Sequence, residues 1–268
     1  SYIASLGSML DVDIGDMIDF LGTRSNVSSI VMYMESLSNI RKFMSAARAV
    51  ARIKPIVVLK SGRSEAGARA ARSHTGAMTG VDAVYDAAFE RVGIVRVKTF
   101  EELFDCAELL AKQPRPPSPK LAIVTNAGGL GVIAIDALAD YRLEPAQLYP
   151  ETVEKLNRIL PEHWSRSNPV DILGDASPER YRSAAEVLLH ADKVKGLLCI
   201  HVPQAISKPL HVAEVLVDVF AGTNFPVFTA WIGGDESVQA RNIFHHANIP
   251  TFDTAERAVR AFMDLYRY

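Results

Sequence analysis

The sequence predicts an α/β protein of two domains, each built on a mainly parallel sheet. Short apolar runs such as Ile56-Val-Val-Leu59 and Leu121-Ala-Ile-Val-Thr125 alternate with stretches of helical period. Strands separated by helices pair in parallel and are covered on both faces. The alternation breaks once, at Gln113-Pro-Arg-Pro-Pro-Ser-Pro-Lys120, where four prolines make a stiff connector. One domain is therefore expected over residues 1–113, a linker over 114–120 and a second domain over 121–268.

In the first domain, residues 3–6 read as a strand closed by Gly7. Ile14, Met17, Ile18 and Leu21 fall at helical spacing in a helix over 11–21, and Gly22 ends it. Residues 29–34 form a buried-type strand with Glu35 at its carboxyl end. Asn39 caps a helix running to residue 51, with Phe43, Ala46, Ala47 and Val50 on one face. A strand over 56–59 leads into a glycine-punctuated loop over 60–80. Then come a helix over 81–92, a short strand at 94–95 and a helix over 100–111.

In the second domain, the strand at 121–125 runs into Asn126-Ala-Gly-Gly-Leu-Gly131, read as a loop before a helix from 132. Helices follow over 150–159, 178–191, 209–220 and 236–246. Strands are expected at 196–200, 226–229 and 251–253, and Thr254 caps the last helix.

The 268 residues are 49% hydrophobic and 22% charged, enough for two full cores and too apolar for disorder. A net charge of -2 leaves no basic excess for nucleic acid. No apolar run approaches a membrane span. Cys106 and Cys199 lie far apart in apolar elements and read as small core residues, as expected of a reducing, cytoplasmic setting. The chain opens inside an apolar run with no Met and no signal pattern, so the first domain is expected to be incomplete at its N-terminus.

Residues 60–80 are the most distinctive stretch. Gly62, Gly67, Gly76 and Gly80 would let backbone approach a ligand, and Arg63, Arg69 and Arg72 would attract phosphate or carboxylate. His74 in such a segment is a candidate nucleophile for phosphoryl groups, although a lone loop histidine is more often a surface residue. Glu35 is its candidate partner, because both follow strands joined by one helix and so expected to be neighbours. A carboxylate on one ring nitrogen would fix the tautomer and free the other. The alternative is a solvated strand-end carboxylate. The run at 126–131 reads as a phosphate cradle at a helix start, or as a tight turn. It also fits the dinucleotide fingerprint as Gly129-x-Gly131-x-x-Ala134, but Arg142-Leu-Glu144-Pro is a poor second strand for it. Asn168-Pro-Val-Asp171 reads as a proline turn and helix entry, and the adjacent His245 and His246 as surface residues.

Taken together, Ser5-Leu-Gly-Ser-Met-Leu-Asp-Val-Asp13, Tyr33-Met-Glu35-Ser, Lys60-Ser-Gly-Arg-Ser-Glu-Ala-Gly, Ser73-His-Thr-Gly-Ala77, Thr125-Asn-Ala-Gly-Gly129 and Ser167-Asn-Pro-Val-Asp-Ile-Leu-Gly-Asp175 resemble the NDP-forming acyl-CoA synthetase (ADP-forming acetyl-CoA synthetase) family, relatives of succinyl-CoA synthetase. The resemblance covers nearly the whole chain. It implies two flavodoxin-like domains and an acid–thiol ligase that interconverts acyl-CoA, phosphate and ADP with acid, CoA and ATP. His74 would be the phosphoryl carrier and Glu35 its partner. Asn126, Gly128, Gly129, Ser73, Thr75 and Gly76 would bind the phosphoryl group, and Ser5 and Gly7 would face the acyl-CoA side. CoA and ADP/ATP with Mg²⁺ would serve the complete enzyme, with none held tightly by this portion and no metal site in it. The resemblance further implies CoA-binding and ATP-grasp domains on the same or another chain, and an oligomer. The alternative is a pair of regulatory acyl-CoA- or nucleotide-sensing domains fused to an acetyltransferase domain in a bacterial protein lysine acetyltransferase.

Overall fold

A computed structural model of the chain describes residues 2–7, 9–75 and 81–267, the side chains of 71–75 excepted. Two compact units emerge, Ser1–Ala111 with Arg267–Tyr268, and Lys112–Tyr266.

In the first unit, β1 (Ile30–Met34), β2 (Ile56–Lys60) and β3 (Val95–Val97) pair in parallel in that order. Five helices accompany them: α1 (Ile14–Gly22), α2 (Ile40–Val50), α3 (Glu65–Thr75), α4 (Asp82–Val92) and α5 (Phe100–Lys112). Ile18, Phe43, Ala47 and Phe89, from α1, α2 and α4, pack with Ile30, Ile56 and Val58 of the sheet. All five residues of β2 are buried, as a central strand covered on both faces requires. Asp13 and Asp16 close a reciprocal capping box at the start of α1, with bonds of 3.1 and 3.0 Å. The Asn39 side chain accepts the Lys42 N–H at 3.1 Å, the cap expected for α2.

Two expectations for this unit are corrected. Residues 3–6 form no strand, and Ile3 is fully exposed. A strand exists through its ladder, and no described residue pairs with this segment. The loop expected over 60–80 contains a helix, α3. Its sequence is rich in alanine and arginine, strong helix formers that outweigh the glycines. The Ser64 hydroxyl accepts the Gly67 N–H at 3.1 Å near its start, and Arg69 approaches Glu65 one turn on at 3.9 Å.

The second unit holds β4 (Leu121–Thr125), β5 (Val170–Asp171), β6 (Gly196–His201), β7 (Val227–Trp231) and β8 (Thr251–Phe252). All pairs are parallel, in the order β5-β4-β6-β7-β8. Numbered within the unit this is 2-1-3-4-5, the flavodoxin-like winding. Its helices are α6 (Gly128–Ala139), α7 (Pro150–Ile159), α8 (Pro178–Leu189), α9 (Pro209–Phe220), α10 (Asp235–His246) and α11 (Ala255–Arg267). Proline opens α7, α8 and α9, where its missing N–H costs nothing. Thr254 caps α11 through the Arg257 N–H at 3.2 Å. Both cysteines are buried and free.

The Asn168 motif does more than turn the chain. β5 pairs only with Val124 and Thr125, leaving the start of β4 without a neighbour on that side. The Asn168 amide fills the gap. Its oxygen accepts the Ile123 N–H at 3.0 Å, and its nitrogen donates to Leu121 O and Ala146 O, each at 2.9 Å. One side chain thus extends the ladder where no strand reaches. Replacing Asn168 by Ala strands the Ile123 N–H and Ala146 O, while Leu121 O keeps the Ala146 N–H at 2.9 Å, so urea unfolding should show a loss of about 2 kcal/mol with an unchanged m-value.

Candidate functional site

In a parallel sheet every carboxyl end lies on one edge, and that edge is where ligands bind. In the first unit it carries Glu35 and Lys60. Met34 stands opposite Lys60 in the register, so the two strands end together. Glu35 is half-buried and accepts the Tyr33 hydroxyl at 3.3 Å. Lys60 is 1% exposed, an unusual burial for a lysine. Its ammonium donates to Ser61 O and lies 4.6 Å from the Tyr85 ring centroid. Burial pushes its pKa down. The negative charges of Asp82 and Glu35 pull it partly back, against Arg96. Arg96 is itself held by Asp82 at 2.5 Å and Asp86 at 2.6 Å. The edge therefore sets a buried lysine near a half-buried carboxylate.

β2 leads through Ser61 and Gly62, at φ +69°, into α3. The backbones of Ser73, His74 and Thr75 form the last residues of that helix, and their side chains lie outside the described residues. Gly76 lies outside them entirely. The adjacency of the strands before Glu35 and His74 is as expected. Ser5 and Gly7 are exposed and belong to no regular element.

In the second unit the winding reverses between β4 and β6, opening a crevice at their carboxyl ends. Asn126 follows β4 and Val202 follows β6. The Asn126 amide nitrogen donates to Val202 O at 2.8 Å and its oxygen accepts the Val202 N–H at 2.9 Å. Asn126 is buried, and its amide is spent on this clasp at the crevice floor. Helix α6 starts at Gly128, four residues before the expected start, so the glycines are its first turn. The Ala127 N–H is taken by the Thr125 hydroxyl at 3.0 Å, and Leu130 and Gly131 donate to Ala127 O. Among the described residues nothing accepts the Gly128 and Gly129 N–H groups. They point out of a helix N-terminus with its partial positive charge, an arrangement that suits a phosphoryl oxygen.

These two glycines differ in cause. A Cβ at Gly128 would lie 2.6 Å from Asp171 Oδ2, while a Cβ at Gly129 would meet nothing within 4 Å. Asp171 is held by the Leu173 N–H at 2.9 Å, so its carboxylate fixes the wall beside the turn. Arg180 bonds Asp175 at 2.6 Å and Ile172 O at 2.9 Å, and holds the Asp175 carboxyl below its usual range.

His201, which shows no partner pattern in the sequence, ends β6 beside this crevice. It is fully buried, stacked on Trp231 with centroids 5.2 Å apart, and its Nε2 lies 3.1 Å from Ser207 Oγ. Its Nδ1 has no partner among the described residues. Burial lowers its pKa to about 4, so the ring is neutral at physiological pH. Tyr181 packs beside it and donates to Ile200 O at 2.8 Å. Only its place as the last residue of an apolar strand could have flagged it. His245 and His246 are exposed on α10, as expected.

Residues 1–110 match the succinyl-CoA ligase like flavodoxin domain, and residues 121–268 the ligase-CoA domain. The chain belongs to the ADP-forming acyl-CoA synthetase family. This is a family of acid–thiol ligases. An acetate–CoA ligase [ADP-forming] of Methanocaldococcus jannaschii is 40% identical over 272 residues, covering 100% of this chain and 38% of that protein. The alpha subunit of acetate–CoA ligase [ADP-forming] I of Pyrococcus furiosus is 35% identical, covering 100% of this chain and 58% of its own. A dinucleotide forming acetyl-coenzyme A synthetase 1 of Ca. Korarchaeum cryptofilum, solved with phosphate and ADP, superposes with a TM-score of 0.91 at 34% identity, covering 96% of this chain and 56% of that one. The chain thus spans between about two fifths and three fifths of the relatives it matches.

Two outcomes follow from this geometry. Gly128→Ala drives a Cβ onto the Asp171 carboxylate and should cost about 1–3 kcal/mol in urea unfolding. Gly129→Ala meets no neighbour and should stabilise α6 by about 0.5–1 kcal/mol. For His201 the folded pKa lies below the unfolded value of 6.5, so between the two the unfolded chain binds the extra proton. Its contribution is complete above about pH 6.5 and is lost as pH falls towards 4, a drop of about 3 kcal/mol. Urea titrations at several pH values should show that slope in the wild type and a shallower one in His201→Gln.

Proposed function

We propose that this chain is the phosphoryl-carrying portion of an ADP-forming acyl-CoA synthetase that interconverts acyl-CoA, phosphate and ADP with acid, CoA and ATP. Phosphate attacks the thioester carbonyl, the C–S bond breaks, and CoA leaves as acyl phosphate forms. A ring nitrogen of His74 attacks phosphorus, and the P–O bond to the acyl group breaks to release the carboxylate. A terminal oxygen of ADP takes the phosphoryl group from nitrogen, giving ATP and the free imidazole. Such transfers depend chiefly on positioning and charge stabilisation.

Glu35 accepts a hydrogen bond from the other ring nitrogen, fixing the tautomer and stabilising the cation formed on transfer. Ser73, Thr75 and Gly76 shape the backbone around the histidine. In the second unit, Gly128 and Gly129 donate their free N–H groups to phosphoryl oxygens, while Asn126 holds the floor beneath them. Ser5 and Gly7 serve the acyl-CoA side. Mg²⁺ accompanies the nucleotide in the complete enzyme. CoA- and nucleotide-binding domains complete the enzyme. The subunit designation of the Pyrococcus furiosus relative supports assembly with another chain. No helix among the described residues is long and apolar enough to cross a membrane, and a cytoplasmic setting suits the free, buried cysteines.

The observation that carries this reading is the placement of Glu35 at the end of β1, beside the strand that leads into the His74 helix. The test uses the complete protein with radiolabelled ATP and Mg²⁺. Label that is acid-labile and base-stable should appear in the wild type and be absent from His74→Ala. Glu35→Gln should slow its formation on the order of a hundredfold or more. A folded, nucleotide-binding wild type that takes no label would overturn the reading and leave a sensing role for the two units.

A further inference from the structure

The stretch over residues 40–54, α2 and the turn after it, carries Arg41, Lys42, Arg48, Arg52 and Lys54 and no acidic residue. The two lysines are used within the unit. Lys42 bridges Asp13, at 3.4 Å, and Asp16. Lys54 donates to Leu21 O, at 3.1 Å, and to Arg24 O. The three arginines are not so used. Their spacing, seven residues and then four, sets them along one helical face. Arg91, from the last turn of α4, joins them around an open surface groove of about 570 Å³ that Ile40 and Met44 also line, and all four arginines and Ile40 are exposed. No acidic side chain lines it. Among the described residues none of the four guanidiniums has a carboxylate, carbonyl or ring partner.

Helix dipoles balance only part of this charge. The C-termini of α2 and α4 supply about half a negative charge each, and Arg41 stands at a helix start, where a cation gains nothing. An excess of about three positive charges remains. The volume lies within the roughly 300–1,000 Å³ of small-molecule pockets. Guanidiniums pair with phosphate through two parallel bonds, and their planes stack on flat rings.

We propose that this open groove binds a nucleoside polyphosphate, with its phosphates on Arg48, Arg52 and Arg91 and its base against Ile40, Met44 and Arg41. Arg52 and Arg91 shortly precede β2 and β3, so this part of the site lies towards the amino edge of the sheet, away from Glu35 and Lys60. It is separate from the centre proposed above and does not rest on the phosphohistidine reading.

Titration calorimetry of the chain with ADP, ATP, CoA and inorganic pyrophosphate tests this, against the double variant Arg48→Gln/Arg91→Gln. ADP or ATP should bind saturably and more tightly than pyrophosphate. The double variant should bind about a hundredfold more weakly, roughly tenfold for each charged pair lost. His74→Ala should bind like the wild type. CoA binding tighter than ADP supports the site and identifies the nucleotide as that of the coenzyme. Arg48→Lys and Arg91→Lys keep the charge and lose the planar fork. They serve as conservative variants should the glutamine pair unfold, and each should weaken binding about threefold or more. Absence of saturable nucleotide binding at millimolar concentration, pyrophosphate binding as tight as ADP, or wild-type affinity in the arginine variants overturns the proposal. Binding of polyglutamate in place of nucleotide also overturns it and marks the face as an acidic-protein surface.

Discussion

Parallel pairing is the constraint on which both units depend. A parallel strand cannot return by a hairpin, so each connection passes over a face of the sheet and brings the chain back to the same edge. The consequence is chemical. Loops that follow strands gather on one side, and the residues that open them need no proximity in sequence. Glu35 and Lys60 end adjacent strands in the first unit, and Asn126 and Val202 follow adjacent strands in the second. The core supports this by burying central strands completely. Every residue of β2 and β4 is buried, so only their ends meet solvent or ligand.

The elements set by hydrophobic period were legible in the sequence: the strands at β2, β4 and β6, the caps Asn39 and Thr254, and the prolines that open three helices. Failures came where a local signal competed with a non-local one. The glycines between residues 60 and 80 suggested loop, but the alanines and arginines between them form helix, and propensity summed over a window outweighs single breakers. Residues 3–6 have strand composition, and composition does not supply a partner. At the candidate site, the free N–H groups of the glycine turn at a helix start were legible, because their logic is local. The Asn126 clasp, the Asn168 ladder and buried His201 were not, because each acts across 22 or more residues of sequence or through burial by distant elements.

The charged groups divide by task. Where a lysine serves the fold, it finds acidic residues or carbonyls, as Lys42 and Lys54 do. Lys60 differs in its burial. Among the described residues it bonds no carboxylate, and a carbonyl and a ring face take its ammonium. A buried ammonium so arranged is costly unless negative charge lies near. The neighbouring Glu35 and Asp82 supply part of it.

The choice of an amide at position 126 follows from the same electrostatics. The clasp needs one donor for Val202 O and one acceptor for the Val202 N–H, and an amide supplies both without charge. An aspartate would keep the second bond, face the carbonyl with a second oxygen, and add a buried negative charge beneath the Gly128 and Gly129 N–H groups. That charge would compete for the helix dipole with any incoming anion. The nearest fixed carboxylate, Asp171, stands at the wall over the Gly128 Cα and is tied back by the Leu173 N–H. The crevice is thus closed by a neutral bond and bounded by a restrained charge, leaving the exposed face of Gly129 as the open approach to the helix start.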